Sequence, residues 1–392
     1  MSYYRRFHCL LALLAFLPAL ALAESAASEN KALKIQSARK GRVEERGSKA
    51  HYTKRWDLSD LPSYQPEAKI SGTIKIYGLN YLTDGNLGKY WDEGFRKFHP
   101  NAKLEFYTPT ALVAIPGLYF GLADIGASRH ITFDDALAFQ RIFSYFPTEI
   151  TMVTGSFNVP GWAPTVGIFV HKDNPLAKIS FSQLDGVFGA ERLGGFDGTA
   201  WNTAVARGPE KNIRTWGQLG LAGEWADKPI NVYGRPMKYH QQARIEERVF
   251  HGGAKWNEKL REYAHDVLPD GTQTVSTRAM LSDLANDPYG IAFSDLAAAA
   301  GSASNLKTLP VAATDDGPWV EPTLETSRDR TYPLYGESYL YINRKPGQPV
   351  DPKVKEFITY VLSREGQNEV QRDGKFLPLT SSVAAAQRRK VQ

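Results

Sequence analysis

Cysteine, histidine, serine and the charged residues are where this chain could do chemistry, and their spacing excludes most familiar reactions. The only cysteine among 392 residues is Cys9. The eight histidines include no His-x-x-x-His or His-Glu-x-x-His pair, the helical spacing that holds zinc. No Gly-x-Ser-x-Gly nucleophile elbow, Gly-Lys-Ser/Thr phosphate loop or glycine-rich dinucleotide fingerprint after a strand occurs. No catalytic residue, metal or cofactor is expected, and the chain reads as a binding protein rather than an enzyme. What it offers instead are cations and hydroxyls beside apolar stretches. Arg235 follows the strand-like Ile230–Tyr233, at the edge where α/β sheets collect ligands. An ordinary surface ion pair is the plain alternative. Ser128, Asn80 and Thr110 are candidate hydrogen-bond donors, although such residues cap helices routinely, and Ser128-Arg129 could likewise only cap the helix that follows.

The two ends carry most of the charge. Arg5 and Arg6 precede 15 apolar residues from Cys9 to Ala23, closing on Ala21-Leu22-Ala23. This is the pattern of a cleaved signal peptide, too short for a membrane span of about 20 residues. Residues 1–23 are therefore expected to be removed, leaving a soluble, exported chain with no thiol and no disulfide. Lys31 to Arg55 holds nine Lys or Arg against Glu44 and Glu45, while Arg388, Arg389 and Lys390 close the sequence. Confined to two polar segments, this charge reads as solvated arms and gives no footprint for nucleic acid. The segment 24–68 is expected to be a polar basic linker and 381–392 a basic tail.

Between them the sequence alternates strands and helices. Thr73–Tyr77 has strand periodicity, Leu87, Trp91, Phe95 and Phe98 lie at helical spacing, and Lys103–Tyr107 is again a strand. Ala111–Phe120 reads as a helix interrupted near Pro116-Gly117. Capping boxes at Thr132/Asp135 and Ser180/Gln183 open two further helices. Such order implies α/β folding around parallel sheets. Gly167–Lys172 and Tyr339–Arg344 look alike, each a strand running into a Pro-containing turn. We read them as paired crossovers between two lobes that form a hinge, with two ordinary core strands as the alternative.

Several stretches, in order, resemble the phosphate ABC-transporter substrate-binding family. Leu122–Arg129 is similar to its "ADIGASSR" element, and Phe169–Leu176 to its "IVNKDNPL" crossover. Ser182–Phe188, Thr215–Gly220 with Ile230–Arg235, Tyr332–Leu334, Tyr341–Asn343 and Tyr360–Gln367 continue the likeness from about residue 70 to 380. The resemblance implies a two-lobed periplasmic binding protein fold, with lobe I at 69–170 and 334–380 and lobe II at 171–333. It further implies a periplasmic, monomeric receptor that captures a phosphate-like anion for the membrane subunits of an ABC transporter.

The ligand loops depart from the family. Its Gly-Ser-Thr-Thr-like first loop stands here as Gly78-Leu79-Asn80-Tyr81-Leu82-Thr83, and its Gly/Ser-rich second loop as Thr108-Pro109-Thr110-Ala111-Leu112. Arg235 is kept, but Tyr239 and His240 stand near where Ser-Gly-Thr follows, and Arg129 occupies a place that is Asp in some members. The implied ligand set is Arg235, Arg129, Ser128, Asn80, Tyr81, Thr110, Tyr239 and His240. A site with two arginine forks and no carboxylate acceptor should take a fully ionised oxyanion at least as well as a protonated one. The diverged loops leave a second reading open, an accessory or interaction protein of the cell envelope on the same scaffold. A phosphatase on this fold would need a nucleophile that the sequence does not display.

Overall fold

The structure, a computed structural model, describes residues 33–34, 47, 51–236, 240–265, 268, 275–299 and 303–392. The segment expected to be a signal peptide and the charged residues up to 50 lie almost wholly outside these, as does Tyr239. The chain divides into two units, and all elements below belong to the one comprising 47–264 and 277–392.

In β1 (Gly72–Gly78) Ile74 and Ile76 are buried while Lys75 between them faces out, the period-2 pattern of a strand. It pairs in parallel with β2 (Ala102–Tyr107) and β3 (Ile125–Ser128). The strands β4 (Thr148–Thr154) and β14 (Glu337–Ile342) complete a sheet of order β2-β1-β3-β14-β4, in which β14 runs antiparallel to both neighbours. A second sheet repeats this plan. Its members are β5 (Val166–His171), β9 (Asn231–Gly234), β10 (Arg261–Glu262), β11 (Gly290–Asp295) and β12 (Leu306–Thr308), in the order β10-β9-β11-β5-β12. Here β5 is the strand antiparallel to its neighbours. A short parallel pair, β6 (Ile179–Ser180) with β13 (Val311–Ala312), and a hairpin, β7 (Gly195–Asp197) with β8 (Ala200–Asn202), lie outside the two sheets.

Each sheet has its own core, so the fold is α/β and two-lobed. Trp91, Phe95, Phe357 and Tyr360 fill the first, contributed by α1 (Leu87–Arg96) and a C-terminal helix. Phe188, Trp216, Phe250 and Phe293 fill the second. Local signals match: α2 (Ala114–Tyr119), α3 (Phe133–Phe143) and α4 (Phe181–Phe188) form, the last two behind the Thr132 and Ser180 capping boxes. Pro116 does not interrupt α2, because it sits in the first turn, where its missing N–H costs no helical bond.

The two look-alike strands sit in different sheets and do not pair with each other. What run side by side are the connections leading into them. The Gly155 N–H donates to the Gly336 carbonyl (2.8 Å) and the Val166 N–H to the Leu334 carbonyl (3.1 Å).

Two expectations for the ends are overturned. The linker does not extend to 68, because Tyr52, Leu58, Leu61 and Tyr64 are buried in the first core. This strap has no regular structure and thus no periodicity to betray it. It is pinned instead by side chains of the C-terminal helices α6 (Pro352–Val361) and α7 (Arg364–Asp373). Gln371 receives the Trp56 N–H (2.6 Å), Glu365 the Tyr64 N–H (2.6 Å), and Glu356 the N–H groups of Glu67 and Ala68 (2.9 and 2.8 Å). The tail is no free arm either. It forms α8 (Ser381–Arg388), buries Ala384 and Val391, and accepts the Thr151 N–H on Gln387 (3.1 Å).

Under the strap, Tyr64 Oη lies 2.6 Å from His99 Nε2 and donates to Glu356 (2.5 Å). His99 Nδ1 accepts the Ile70 N–H (3.4 Å), which assigns the proton of the neutral ring to Nε2. Burial, with a smaller contribution from Lys69 and against the pull of Glu356, holds the His99 pKa below its usual value of 6.5. A lowered histidine pKa means the unfolded chain binds the extra proton, so stability is complete above pH 6.5 and falls as the pH drops below it. Thermal unfolding between pH 7 and 5 should show this loss, and His99→Gln should flatten it; an equal slope in the variant would assign the loss elsewhere.

Candidate anion-binding site

Parallel strands direct their carboxyl ends to one side of a sheet, and the connections leaving that edge form the crevice where α/β proteins bind ligands. In the first lobe the residues leaving β1, β2 and β3 are Asn80–Tyr81, Thr108–Thr110 and Ser128–Arg129. In the second lobe Arg235 leaves β9, and Asp295 ends the adjacent parallel strand β11.

Asn80 is buried, and its carbonyl accepts the N–H groups of Thr83 (3.0 Å) and Asp84 (2.8 Å) while its amide donates to the Asp84 carboxylate. It therefore closes the helical turn Tyr81–Asp84. Thr110 caps the short helix Ala111–Val113 by accepting from Leu112, so capping accounts for it. Ser128 is buried at the end of β3. Arg129 is no helix cap, since Thr132 performs that role for α3. Its guanidinium lies over the Tyr81 ring (5.3 Å to the centroid), and its Nη2 donates to the Gly161 carbonyl (3.2 Å). Tyr81 in turn packs on Trp162 at 4.7 Å. Tyr81 is thus a platform under Arg129.

Arg235 is buried and donates from Nη1 to the Gln241 side chain (3.2 Å), whose amide donates to Asp295 (2.6 Å). A carboxylate therefore stands one residue away from the arginine, where the sequence reading placed none. Gln242 is fully buried, and among the described residues both ends of its side-chain amide lack a hydrogen-bond partner, as does the buried Ser294 hydroxyl. Leaving such groups unmade costs about 1–3 kcal/mol each. Gln242 lies in the first turn of α5 (His240–Arg248) and Ser294 next to the end of β11, the strand adjacent to the one that Arg235 leaves. Tyr239 and the His240 side chain lie outside the described residues. Sequence reasoning missed Gln241, Gln242, Asp295 and Gly161. Glutamines early in a polar helix look like surface residues, and nothing local in the sequence marks the other two.

The lobes touch at several points. Thr199, at the tip of the β7–β8 hairpin, donates to Gln140 on α3 (2.7 Å), and Phe196 packs against Phe133 (4.6 Å). At the return connection Glu337 accepts from Arg248 of α5 (3.1 Å), Arg330 (2.7 Å) and the Tyr339 hydroxyl (2.7 Å). Tyr335 lies against both guanidinium groups, 4.1 Å from Arg248 and 5.2 Å from Arg330.

Asp124 is structural, its carboxylate accepting the Lys75 N–H (2.8 Å). A cavity of about 500 Å³ lies within the second lobe, lined by Asp185, Arg192, Arg207, Lys211 and Asp315 among others. Its arginines are already engaged, Arg192 bidentate to Asp185 at 2.7 Å and Arg207 to the same carboxylate at 3.1 Å. Among the described residues no group of three or more His, Cys, Asp or Glu could hold a metal ion. Nor is any described helix long and apolar enough to cross a membrane.

Residues 136–365 match the pattern of the PBP superfamily domain. The chain is 29% identical over 325 residues to the phosphate-binding protein PstS of Pseudomonas aeruginosa, covering 83% of this chain and 88% of that one. Among solved structures it is similar to PstS from Borrelia burgdorferi, with 16% identity, a TM-score of 0.49, and coverage of 79% and 100% of the two chains. A possible phosphate-binding protein from Planctomyces limnophilus gives 18% identity, a TM-score of 0.45, and coverage of 82% and 98%.

Proposed function

The chain belongs to the PBP superfamily, and we propose that it is a periplasmic receptor that captures phosphate or a similar oxyanion for an ABC transporter. The observation that carries this reading is the polar edge of the second lobe. There Arg235, bridged by Gln241 to Asp295, stands at the carboxyl ends of β9 and β11, and the same end of the lobe holds the buried Gln242 amide and Ser294 hydroxyl, both without a hydrogen-bond partner among the described residues. Arg129 leaves the corresponding edge of the first lobe as a second cation, steadied by Tyr81 and the Gly161 carbonyl. Rigid guanidinium forks in a partly dry site suit an oxyanion's multiple acceptors. The likeness to a curated phosphate-binding protein over most of both chains supports the same class of ligand.

Asp295 changes the expected selectivity. A carboxylate beside the arginine can accept a hydrogen bond from a protonated anion, and it repels one that carries no proton. On this reading hydrogen phosphate binds more tightly than sulfate. Export by the N-terminal segment, delivery to membrane subunits and action as a monomer complete the proposal. No step of it requires a nucleophile, metal or cofactor.

One observation favours the second reading, an envelope accessory protein with a diverged site. Arg129 and Arg235 each already hold an internal acceptor, which an anion would have to displace. Thermal unfolding with and without oxyanions separates the two. A ligand present at 100 times its Kd adds about 2.7 kcal/mol to folding stability. Phosphate should raise the melting temperature, and sulfate should do so less. No shift with any oxyanion up to millimolar concentration would favour the accessory protein.

A further inference from the structure

The connection from β4 to β5 is not a plain linker. Ser156 and Thr165 close it into a loop, with the Ser156 N–H donating to the Ala163 carbonyl (3.1 Å) and the Thr165 N–H to the Ser156 carbonyl (2.8 Å). The N-terminal strap holds the loop from outside, because the Tyr52 hydroxyl accepts the N–H groups of Phe157 (2.9 Å) and Asn158 (3.2 Å). At its tip Trp162 is fully buried in the first core, its ring tilted 43° against that of Tyr81. Gly161 has a φ of +94°, and a Cβ there would come within 2.6 Å of the Tyr81 hydroxyl. The tip is therefore fitted to Tyr81, and its carbonyl receives Arg129.

The base of the same loop lies where the two connections pass each other. The Ala163 carbonyl is wedged against Gly155 and Gly336, so closely that a Cβ on either glycine would collide with it, at 2.0 and 1.8 Å. Ala163 itself takes a left-handed φ of +47°, a conformation costly for a residue with a side chain. The loop tip and the crossing are thus one residue apart in the chain, Trp162 at the tip and Ala163 at the crossing.

We propose that this loop is a working part of the anion site: it positions Arg129, and Arg129 transmits occupancy of the site to the crossing of the two connections. An anion that draws the guanidinium away from the Gly161 carbonyl removes a tether on the loop tip and frees the Gly155–Gly336 crossing to rearrange. Tyr81 and Trp162 are positioning residues in this scheme, acting through Arg129. The inference rests on the reading of Arg129 as an anion ligand, but its mechanical half is testable without any ligand.

The test is amide hydrogen exchange on the whole chain, read at residues 155–166, together with phosphate titration. Arg129→Ala should speed exchange there by roughly fivefold, the net contribution of one hydrogen bond, and leave β2 and α1 unchanged. Arg129→Lys, which keeps the charge without the stacking fork, should do the same. Trp162→Leu should reproduce the effect, Trp162→Phe should largely preserve the wild-type rate, and the Arg129→Ala/Trp162→Leu double variant should add little to either change. Saturating phosphate should raise exchange at 155–166 in the wild type. Unchanged exchange in Arg129→Ala, or additive single effects, would overturn the coupling whether or not phosphate binds. Absence of phosphate binding with the exchange changes intact would instead overturn the receptor reading and leave the tether standing.

Discussion

Glu337→Ala is expected to lower folding stability by about 3–5 kcal/mol, the cost of removing one partner from a buried ionic cluster. Its carboxylate, whose side chain is 9% exposed, accepts from two guanidinium groups and a buried tyrosine hydroxyl at once. Without it Arg248 and Arg330, 15% and 13% exposed, would face each other across Tyr335 with their charges uncompensated. The cluster's net contribution relative to an apolar core is a separate and smaller quantity, since desolvating three charges offsets much of their attraction. Arg248 comes from the second lobe and Glu337 from the first sheet, so the loss should also loosen the lobe junction. Urea unfolding of the variant reads the effect directly, and a change below about 1 kcal/mol would mean that the cluster is solvated and the arginines find water.

The second large effect concerns the ligand. On the proposed reading Arg235→Ala weakens phosphate binding by about 1.5–3 kcal/mol, roughly 10- to 150-fold, the range for hydrogen bonds to charged groups. Arg235→Lys should recover little of this, because an ammonium cannot reproduce the planar fork that Gln241 now orients. Circular dichroism and melting of the ligand-free variants separate loss of binding from loss of fold. An affinity equal to wild type in a folded Arg235→Ala protein would remove this residue from the site.

Much of the scaffold was legible in the sequence because its elements obey local rules. Period-2 alternation around Ile74 and Ile76, and the capping boxes at Thr132 and Ser180, each fix an element within a few residues. The strap was not legible. Tyr52, Leu58, Leu61 and Tyr64 follow neither the strand nor the helix period, and the bonds of Trp56, Tyr64 and Glu67 go to Gln371, Glu365 and Glu356, some 300 residues later. The tail misled for a related reason: Arg389 and Lys390 face out, while Val383, Ala384, Gln387 and Val391 pack inward without a hydrophobic run to announce them.

The site divides the same way. Arg235 was chosen for its place after a strand and Arg129 through the family resemblance. Asn80 and Thr110, chosen with them, turn out to serve the backbone of their own loops. Gly161, Gln242 and Asp295 acquire significance only once distant segments meet, Gly161 under Arg129 and Gln242 buried without a partner near Arg235. The likeness of Gly167–Lys172 to Tyr339–Arg344 was read as a pair of crossovers, whereas β5 and β14 are the buried antiparallel strands of two separate sheets built in the same order. It did not show that the contact lies one step earlier in each connection, at Gly155 with Gly336 and Val166 with Leu334.

The most direct test of the central claim is isothermal titration calorimetry of the chain without residues 1–23 against phosphate and sulfate at neutral pH. The account predicts one phosphate per chain at micromolar Kd or tighter, with sulfate weaker. A well-folded sample that releases no heat with either anion would contradict it, and the scaffold would then have to serve a purpose other than anion capture.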